Sequence, residues 1–456
     1  MSDEKQLLDQ IETPAEISTK NAVELLQERG RALRSQVPIT NLGRRPVIQR
    51  DPVKIIDKTE SHLIAELVPL RHSKMLATPA AFFRGTAELM AYDLSHEAQS
   101  GIRVLADGDA HLQNFGFYAS PERNLLFDLN DFDEAAPNSF EFDLKRLVTS
   151  TYLLGSQSHF DEKEMDELAS NLVRIYRKTT KTAFKKGALD RFFFSTKVSE
   201  LIDKLPVEEN AEILNKIVAK ASKRDNESVV RKFTETTDEG NLRFKDNAPS
   251  SVHVPTEVED KLKLGFISYL KTTRSDTALL LSQYHITDII RHSVGIGSFG
   301  TSCYLILLTG MDNTHLVLQI KEALPRRREL GPNALVVTLE KERNSGRRII
   351  AAQQILQKAS DPFLGWFSVG KKSFYVRQFR DMKESVKVEQ LNWQQFQVYT
   401  GTCSFLLALA HAQTPIDAMA CGYMNKSFDA TIQAWCKNYL HQVEDDYAAF
   451  VNKYGR

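Results

Sequence analysis

The sequence predicts an α+β fold of two lobes, in which a mostly helical lobe precedes a smaller β-rich lobe. Its 456 residues, of which 42% are apolar, can fill more than one hydrophobic core. Apolar side chains follow helical spacing over most of the chain, whereas residues 288–378 contain short runs of β-branched and aromatic residues. We therefore expect an N-terminal arm and linker at 1–58, a helical lobe at 59–287, a β-rich lobe at 288–381, and helices at 382–456 that pack on the helical lobe.

Apolar residues that recur every three to four positions predict the helices, and a proline after Thr78 suits the first turn of one of them. These helices are expected at residues 20–35, 59–70, 80–94, 142–154, 162–185, 198–223, 347–359, 393–412 and 428–454. Strands are expected at 302–308, 315–320 and 373–379, with a turn at 309–314 between the first two. The stretch 234–255, which is rich in turn-forming residues, should be irregular.

The overall charge argues against a dedicated nucleic-acid binder, because 59 Lys and Arg residues balance 59 Asp and Glu residues. The first residues are polar and acidic, unlike a signal peptide, and no apolar run reaches about 18 residues, the length that a membrane span needs. We expect a cytoplasmic protein with no nucleic-acid or membrane partner, and the sequence leaves its oligomeric state open. The cysteines lack the close pairing of a zinc or redox site and are interpreted as incidental thiols: Cys303, Cys403, Cys421 and Cys436.

Two apolar runs each end in a turn that carries acidic side chains. Asp109, His111 and Asn114 follow the first run, and Asp131 and Asp133 follow the second. Either acid alone is most simply a turn former or a helix cap, but two successive units of this kind favour a phosphoryl-transfer site. Such a site needs a carboxylate beside the attacking hydroxyl and oxygen ligands for magnesium.

We predict that Asp109 is the catalytic base, which accepts or orients the proton of the hydroxyl. Asn114 is a predicted magnesium ligand, because its spacing from Asp109 equals that between Asp and Asn in the catalytic loop of kinases. Asp131 is predicted to bind magnesium as well, and Asp133 is a further candidate ligand. His111 is a second candidate catalytic residue, although it could instead hold the loop by hydrogen bonding.

A glycine-rich segment at residues 295–300, and a lysine that ends the next predicted strand, indicate a phosphate-binding element. The pattern GxGxxG also occurs in dinucleotide-binding folds, but those folds require a helix directly after the glycines. Residues 301–308 are instead rich in aromatic and branched side chains, which favours a glycine-tipped β-hairpin. The predicted nucleotide-binding residues, with ATP as the cofactor, are Gly295, Gly297, Ser298, Phe299, Gly300 and Lys321.

Two features depart from ordinary kinases. The glycine segment and Lys321 come after the acidic loops, so a kinase-like site requires a permuted order in which the catalytic lobe precedes the nucleotide lobe. An apolar segment at 405–412 is similar to the helix that ordinarily leads into the catalytic loop. Kinases also brace the lysine with a helix glutamate, but residues 346–357 contain no acid, which leaves Glu340, Glu342 or Gln353 as candidates.

The chain resembles the bacterial family called domain of unknown function 2252, which is placed among protein-kinase-like folds. The matching stretches cover nearly the whole chain, at residues 67–71, 82–85, 108–116, 130–134, 142–146, 295–301, 318–323, 361–365 and 375–378. This resemblance implies a two-lobed protein-kinase-like fold with permuted lobe order, but no substrate, because the activity of the family is unassigned. Locally, residues 108–114 and Asp131 are also similar to loops of aminoglycoside and choline kinases.

Two further residues are candidates for supporting the site. Asp143, near the start of a predicted helix, resembles the acid that steadies the catalytic loop of small-molecule kinases, although a helix N-terminus also favours an acid. Arg84 is expected to form a salt bridge with an acidic loop, the alternative being a contact with substrate.

The leading hypothesis is an ATP- and magnesium-dependent phosphotransferase that binds a nucleotide and a small-molecule acceptor, and acts on a hydroxyl of that acceptor. A small acceptor is favoured because a predicted helix follows Asp131 too closely to leave room for a peptide-docking platform. A nucleotide-binding regulatory module without turnover is a second hypothesis. A metal-dependent phosphoesterase is a third, since Asp109-Ala-His111 has the D-x-H form of such enzymes, although the further histidines of a two-metal site are missing.

Overall fold

The computed structural model describes residues 22–194, 197–198, 219, 226–293, 299–325, 344–379 and 384–455, and within them the chain forms the predicted mixed α+β fold. The helices are α1 (Ala22–Gln36), α2 (Ile39–Leu42), α3 (Pro52–Glu60), α4 (Val68–Met75), α5 (Pro79–Gly85), α6 (Ala87–Leu94), α7 (Phe140–Gln157), α8 (Glu162–Ala183), α9 (Ala188–Phe193), α10 (Asn226–Phe233), α11 (Thr256–Tyr269), α12 (Ser275–Leu281), α13 (Ser345–Leu356), α14 (Trp393–His411), α15 (Ala418–Tyr423) and α16 (Lys426–Tyr454). The strands are β1 (Arg103–Ala106), β2 (Phe115–Ala119), β3 (Leu125–Leu129), β4 (Ala136–Ser139), β5 (Thr234–Thr236), β6 (Leu242–Phe244), β7 (Ser251–His253), β8 (Tyr284–His292), β9 (Cys303–Gly310), β10 (His315–Ala323), β11 (Gly365–Val369), β12 (Lys372–Gln378) and β13 (Glu384–Ser385).

Six strands form an antiparallel sheet in the order β11-β12-β10-β9-β8-β7. Strands β8 and β9, which flank the glycine-rich segment, pair with each other, in agreement with the predicted hairpin. Leu318 and Ile320 of β10 share a buried core with Phe266 of α11. Side chains alternate along a strand, so Gln319 and Lys321 face the opposite side of the sheet.

Two short sheets carry the acid-bearing loops. Strand β1 pairs with β4, with Ala106 opposite Ala136, so the chain leaves β1 close to the point where it enters β4. Strands β2 and β3 form a hairpin that β13 extends at one edge. Phe115, Phe117 and Leu129 of the hairpin are buried, which anchors the ends of both loops in the hydrophobic core.

The largest hydrophobic core involves α7, α8, α14 and α16, and their buried side chains include Leu144, Tyr176, Leu407 and Trp435. A buried ion-pair network beside this core joins α6 to α16. Arg50 donates to Asp93 at 2.6 and 2.7 Å, and to Asp446 at 2.7 and 2.8 Å. Among the residues that the structure describes, no helix has the length and apolar character needed to span a membrane.

Two predicted helices have different bounds in the structure. Residues 80–94 form two helices, because Thr86 leaves helical geometry with φ −127° and ψ 47°. The hydroxyl of Thr86 instead donates to the carbonyl of Phe82 at 2.9 Å. Residues 59–70 include the end of α3 and the start of α4, since the N-cap Asp51 and Pro52 start the first helix earlier than predicted. The predicted helix at 198–223 lies almost entirely outside the described residues.

The stretch at 234–255 is not irregular throughout, and that prediction was wrong. It contains β5, β6 and β7, each of three residues, which is too short for alternation to be recognised in the sequence. Strands β7 and β8 bring residues 251–253 and 284–287 into the large sheet, ahead of the predicted start of the β-rich lobe at 288. The domain boundaries themselves stay predictions.

Candidate functional site

The first acid-bearing loop leaves β1 at Asp107 and is held by the carboxylate of Asp143 in α7. Asp143 Oδ2 accepts a hydrogen bond from the backbone N–H of Asp107 at 2.7 Å, and Oδ1 accepts one from Gly108 at 3.0 Å. Oδ2 also lies 3.0 Å from Nε2 of His411, whose Nδ1 lies 2.7 Å from the hydroxyl of Tyr176. These contacts give Asp143 the geometry of a residue that steadies the loop.

Gly108 lets the two acid-bearing loops touch. Its φ is +82°, in the left-handed region that L side chains rarely adopt. A Cβ at this position would lie 2.4 Å from the carbonyl oxygen of Glu134, in the second loop. Both the turn and the close approach therefore require glycine.

The carboxylate of Asp109 is bound by Arg146 of α7, whose Nε donates to Oδ1 at 2.7 Å. A terminal nitrogen of Arg146 donates to the carbonyl of Phe83 at 2.8 Å and so fixes the guanidinium. Burial raises the pKa of Asp109 to about 7, although the charge of Arg146 acts to lower it. The side chain of Asp109 is still 19% exposed, so it is both accessible and able to exchange a proton near neutral pH.

His111 lies beside Asp109, with Nε2 at 3.8 Å from Oδ2. Burial, together with the charges of Arg84 and Arg146, lowers the pKa of His111 well below its usual value. The imidazole is therefore neutral at physiological pH, and it supplies no positive charge to the site.

Asn114 connects the two acid-bearing loops through its side-chain amide. The amide nitrogen donates to Asp107 Oδ2 at 3.0 Å, to the carbonyl of Asp109 at 3.3 Å and to the carbonyl of Asp131 at 3.0 Å. The other end of the amide is the carbonyl oxygen, which is the atom that a hard cation prefers. The two N–H groups share these three acceptors, and together the contacts fix the direction in which that oxygen points.

Lys321 of the large sheet reaches the second acid-bearing loop. Its ammonium contacts Asp133 Oδ2 and lies 3.6 Å from Asp131 Oδ1. Tyr375, opposite Lys321 on β12, donates its hydroxyl hydrogen to Asp133 Oδ1 at 2.9 Å. Burial opposes the positive charge, but Asp131 and Asp133 together hold the pKa of Lys321 well above its usual value.

Helix α13 supports this loop with an arginine. Arg348 donates to the carbonyl of Ala135 at 2.6 Å and to that of Asp133 at 3.0 Å. Gln353, a candidate partner for Lys321, instead donates to Gln357 at 3.0 Å. The other two candidates, Glu340 and Glu342, lie outside the described residues.

Part of the predicted glycine loop is described. The carbonyl of Gly300 accepts from the backbone N–H of Ile64 at 2.7 Å, and the φ of Gly300 is +99°. The ring of Phe299 is buried, and Nζ of Lys74 lies 3.8 Å from its centroid. The end of the loop therefore rests on the segment between α3 and α4. The remaining predicted loop residues, Gly295, Gly297 and Ser298, lie outside the described residues.

The salt bridge expected between Arg84 and an acidic loop is not found among the described residues, with which Arg84 makes no hydrogen bond or ion pair. The carboxylate of Asp109, in the first acid-bearing loop, is bound by Arg146 instead. The guanidinium of Arg84 is half-buried and lies close enough to the acid-bearing loops to interact with their charges. Burial lowers the pKa of Arg84, while the charges of Asp109 and Asp131 act to raise it.

Sequence reasoning did not single out three residues of this site. Arg146 lies three positions after Asp143 in a helix, and that spacing was a signal that both face the same loop. Tyr375 could be found only from the strand register. Asp107 precedes the predicted motif, and its buried Oδ1 has no hydrogen-bond partner among the described residues. Burial and the charge of Asp143 raise the pKa of Asp107 well above its usual value.

The oxygen atoms at this site fit a magnesium ion held partly by phosphates. Magnesium in phosphoryl-transfer enzymes takes one or two protein carboxylates, and nucleotide and water oxygens supply the rest. Asp131, which is 44% exposed, and the carbonyl oxygen of Asn114 can provide such ligands. The described part of the chain contains no group of three or more His, Cys, Asp or Glu side chains placed to hold a metal.

A cavity of about 370 Å³ lies on the same side of the large sheet as Lys321. Its lining combines apolar side chains, such as those of Phe363 and Phe379, with polar ones that include Asn130, Gln319 and Arg377. The volume is within the range of small-molecule sites, which is roughly 300–1,000 Å³.

Searches of curated proteins and of solved structures returned no match. A family profile described as an uncharacterized protein conserved in bacteria, DUF2252, matches residues 63–453. That range includes every predicted site residue, from both acid-bearing loops to the lysine strand. The chain therefore belongs to the bacterial family of domain of unknown function 2252.

Proposed function

We propose that this protein is an ATP- and magnesium-dependent phosphotransferase that acts on a hydroxyl of a small molecule. One observation carries the proposal. The ammonium of Lys321 contacts Asp133 and lies 3.6 Å from Asp131, and the Asn114 side chain joins that same loop to the carbonyl of Asp109. Two distant parts of the chain thus bring together the residues that we propose as the base, the metal ligands and the phosphate-binding lysine of a phosphoryl-transfer site.

The order of elements supports a kinase-like nucleotide lobe. The hairpin β8–β9, the lysine strand β10 and the helix α13 follow one another as the glycine loop, lysine strand and helix do in protein kinases. The catalytic loop comes earlier in the chain, so the proposed fold is a permuted one. His411, at the end of α14, contacts Asp143, the residue that holds the proposed catalytic loop.

Each residue has a proposed role that follows from its contacts. Asp109 accepts the proton of the acceptor hydroxyl, and Arg146 fixes the direction of its carboxylate. Lys321 holds the phosphates of the nucleotide. Asp131 and Asn114 would hold magnesium, which would neutralise charge on the phosphates when bound.

The path of the chain favours a small acceptor. After Asp133, β4 pairs back with β1 and α7 starts at once at Phe140, so no long segment is available to dock a peptide. Arg84, which makes no ion pair among the described residues, is a cation that can meet the acceptor or the transferred phosphoryl group.

Binding and turnover test this proposal separately. Isothermal titration calorimetry of the full chain with magnesium nucleotides should show binding that Lys321→Ala removes. A screen of small hydroxyl compounds should give a phosphorylated product with the wild type but not with Asp109→Asn. The proposal is wrong if the wild-type protein binds no magnesium nucleotide.

A nucleotide-binding regulatory module is the second candidate, and one observation favours it. Lys321 is held by carboxylates of the metal loop, and the described part of α13 contributes no acid to it. A regulatory module would bind the nucleotide in the calorimetric experiment but form no phosphorylated product in the screen. Any turnover that depends on Asp109 excludes a purely passive role.

A further inference from the structure

The cavity beside Gln319 adjoins the proposed phosphate site. Gln319 lines it and lies two residues before Lys321, on the same face of β10. Asn130, which also lines it, directly precedes Asp131. A nucleotide whose phosphates meet Lys321 and Asp131 would therefore direct its base along β10 into this cavity.

Arg377 enters the cavity with a fixed orientation. It lies opposite Gln319 on β12, and its Nε donates to Gln319 Oε1 at 2.8 Å. Gln319 is itself buried and oriented, because its Nε2 donates to Cys303 Sγ at 3.2 Å. This chain of contacts uses only one nitrogen of the guanidinium.

The two terminal nitrogens of Arg377 make no hydrogen bond or ion pair with any described residue. They form the planar donor fork that suits a pair of acceptors on one edge of a ligand. The guanidinium of Arg377 is half-buried and lines the cavity, so these two nitrogens can pair with a ligand bound there.

We propose that the cavity holds a purine base, and that Arg377 makes the site prefer guanine nucleotides to adenine nucleotides. This inference rests on the proposed function, since it assumes that nucleotide phosphates bind at Lys321. It refines the predicted ATP cofactor by naming a guanine nucleotide as the preferred phosphate donor.

The chemistry of the two bases supports this preference. Guanine presents two acceptors, O6 and N7, on one edge, and arginine pairs with both at once. Adenine has an amino group where guanine has O6, so one N–H group of Arg377 would face another hydrogen-bond donor. Each good bidentate pair of this kind discriminates by about 1–3 kcal/mol, which corresponds to roughly 5–150-fold in affinity.

Calorimetry on the wild-type full chain tests the inference without a variant. We expect the magnesium complex of GTP to bind at least about fivefold more tightly than that of ATP. Inosine triphosphate, which keeps O6 and N7, should bind like GTP. The 7-deaza analogue of GTP, which lacks N7, should bind more weakly than GTP.

Arg377→Met should remove the preference for GTP while leaving ATP affinity within about threefold. Arg243→Met is the matched control, because Arg243 is 47% exposed on β6 and does not line the cavity. ATP binding as tight as GTP binding in the wild type overturns this inference but leaves the phosphotransferase proposal standing. Binding of neither nucleotide overturns both.

Discussion

Arg146 and Asp109 form an ion pair in which Nε of the guanidinium lies 2.7 Å from Oδ1 of the carboxylate. Burial raises the pKa of Asp109 to about 7, and the charge of Arg146 limits that rise. If the ionised carboxylate accepts the proton, phosphoryl transfer should increase as the pH rises through about 7. Arg146→Gln removes the limiting charge, so the increase should shift to higher pH. The pH dependence of kcat/KM, with an acceptor or with water, measures this shift.

Arg177→Gln is the control for that measurement. It removes an ion pair with Asp429, at 2.7 and 2.8 Å, that joins α8 to α16. The midpoint of its pH profile should match the wild type. An unchanged midpoint in Arg146→Gln would show that the ion pair does not set the titration.

Gly108→Ala should destabilise the protein through two separable costs. The left-handed backbone costs an alanine about 1–2 kcal/mol. The contact of its Cβ with the Glu134 carbonyl, at 2.4 Å, should add roughly 1–3 kcal/mol, the usual cost of overpacking. Gly101→Ala isolates the first cost, since Gly101 has φ +75° and no atom within 4 Å of a built Cβ. Urea unfolding compares the two variants, and equal losses would contradict the predicted clash.

Arg84→Met should leave the free energy of unfolding unchanged or raise it by up to about 1 kcal/mol, because no ion pair among the described residues is lost. Arg50→Met is the contrasting variant. Removing Arg50 leaves Asp93 and Asp446 buried without their cation and should cost about 3–5 kcal/mol. Phosphoryl transfer should fall in Arg84→Met. A strongly destabilised Arg84→Met variant would indicate a structural role instead.

Lys321→Met should abolish nucleotide binding and also destabilise the protein, since Asp133 then loses its cation in a largely buried site. Adding Asp133→Asn removes the uncompensated charge, so the double variant should regain part of the lost stability but no nucleotide binding. A double-mutant cycle of unfolding free energies measures the coupling. Additive effects would show that the ion pair contributes little to folding.

The long helices could be predicted from the sequence because their apolar spacing is sustained. Helices α7, α8, α14 and α16 run for 18, 22, 19 and 29 residues, and each was expected within a few positions. The strands of three residues gave no usable alternation, and β5, β6 and β7 were missed for that reason.

The candidate site was only partly accessible to sequence reasoning. Local spacing indicated the acid-bearing loops, since Asp109 and Asn114 lie within one turn-forming segment. The partner of Lys321 lies 188 positions away in Asp133, and no local pattern specifies such a contact. The sequence predicted only that Arg84 would pair with an acidic loop. The partner of Asp109 is Arg146, which the packing of α7 against α5 places beside both that carboxylate and the carbonyl of Phe83.

The hydrogen bond between His411 and Asp143 spans 268 positions of sequence. All the residues to which we assign chemistry come before His411, so a shorter fragment ending ahead of α14 would still include them. It would nevertheless lose the imidazole that helps to hold the Asp143 carboxylate against the loop. The smallest piece of this protein worth expressing for enzymology must therefore extend through α14, and a deletion of the C-terminal helices is not a neutral way to trim it.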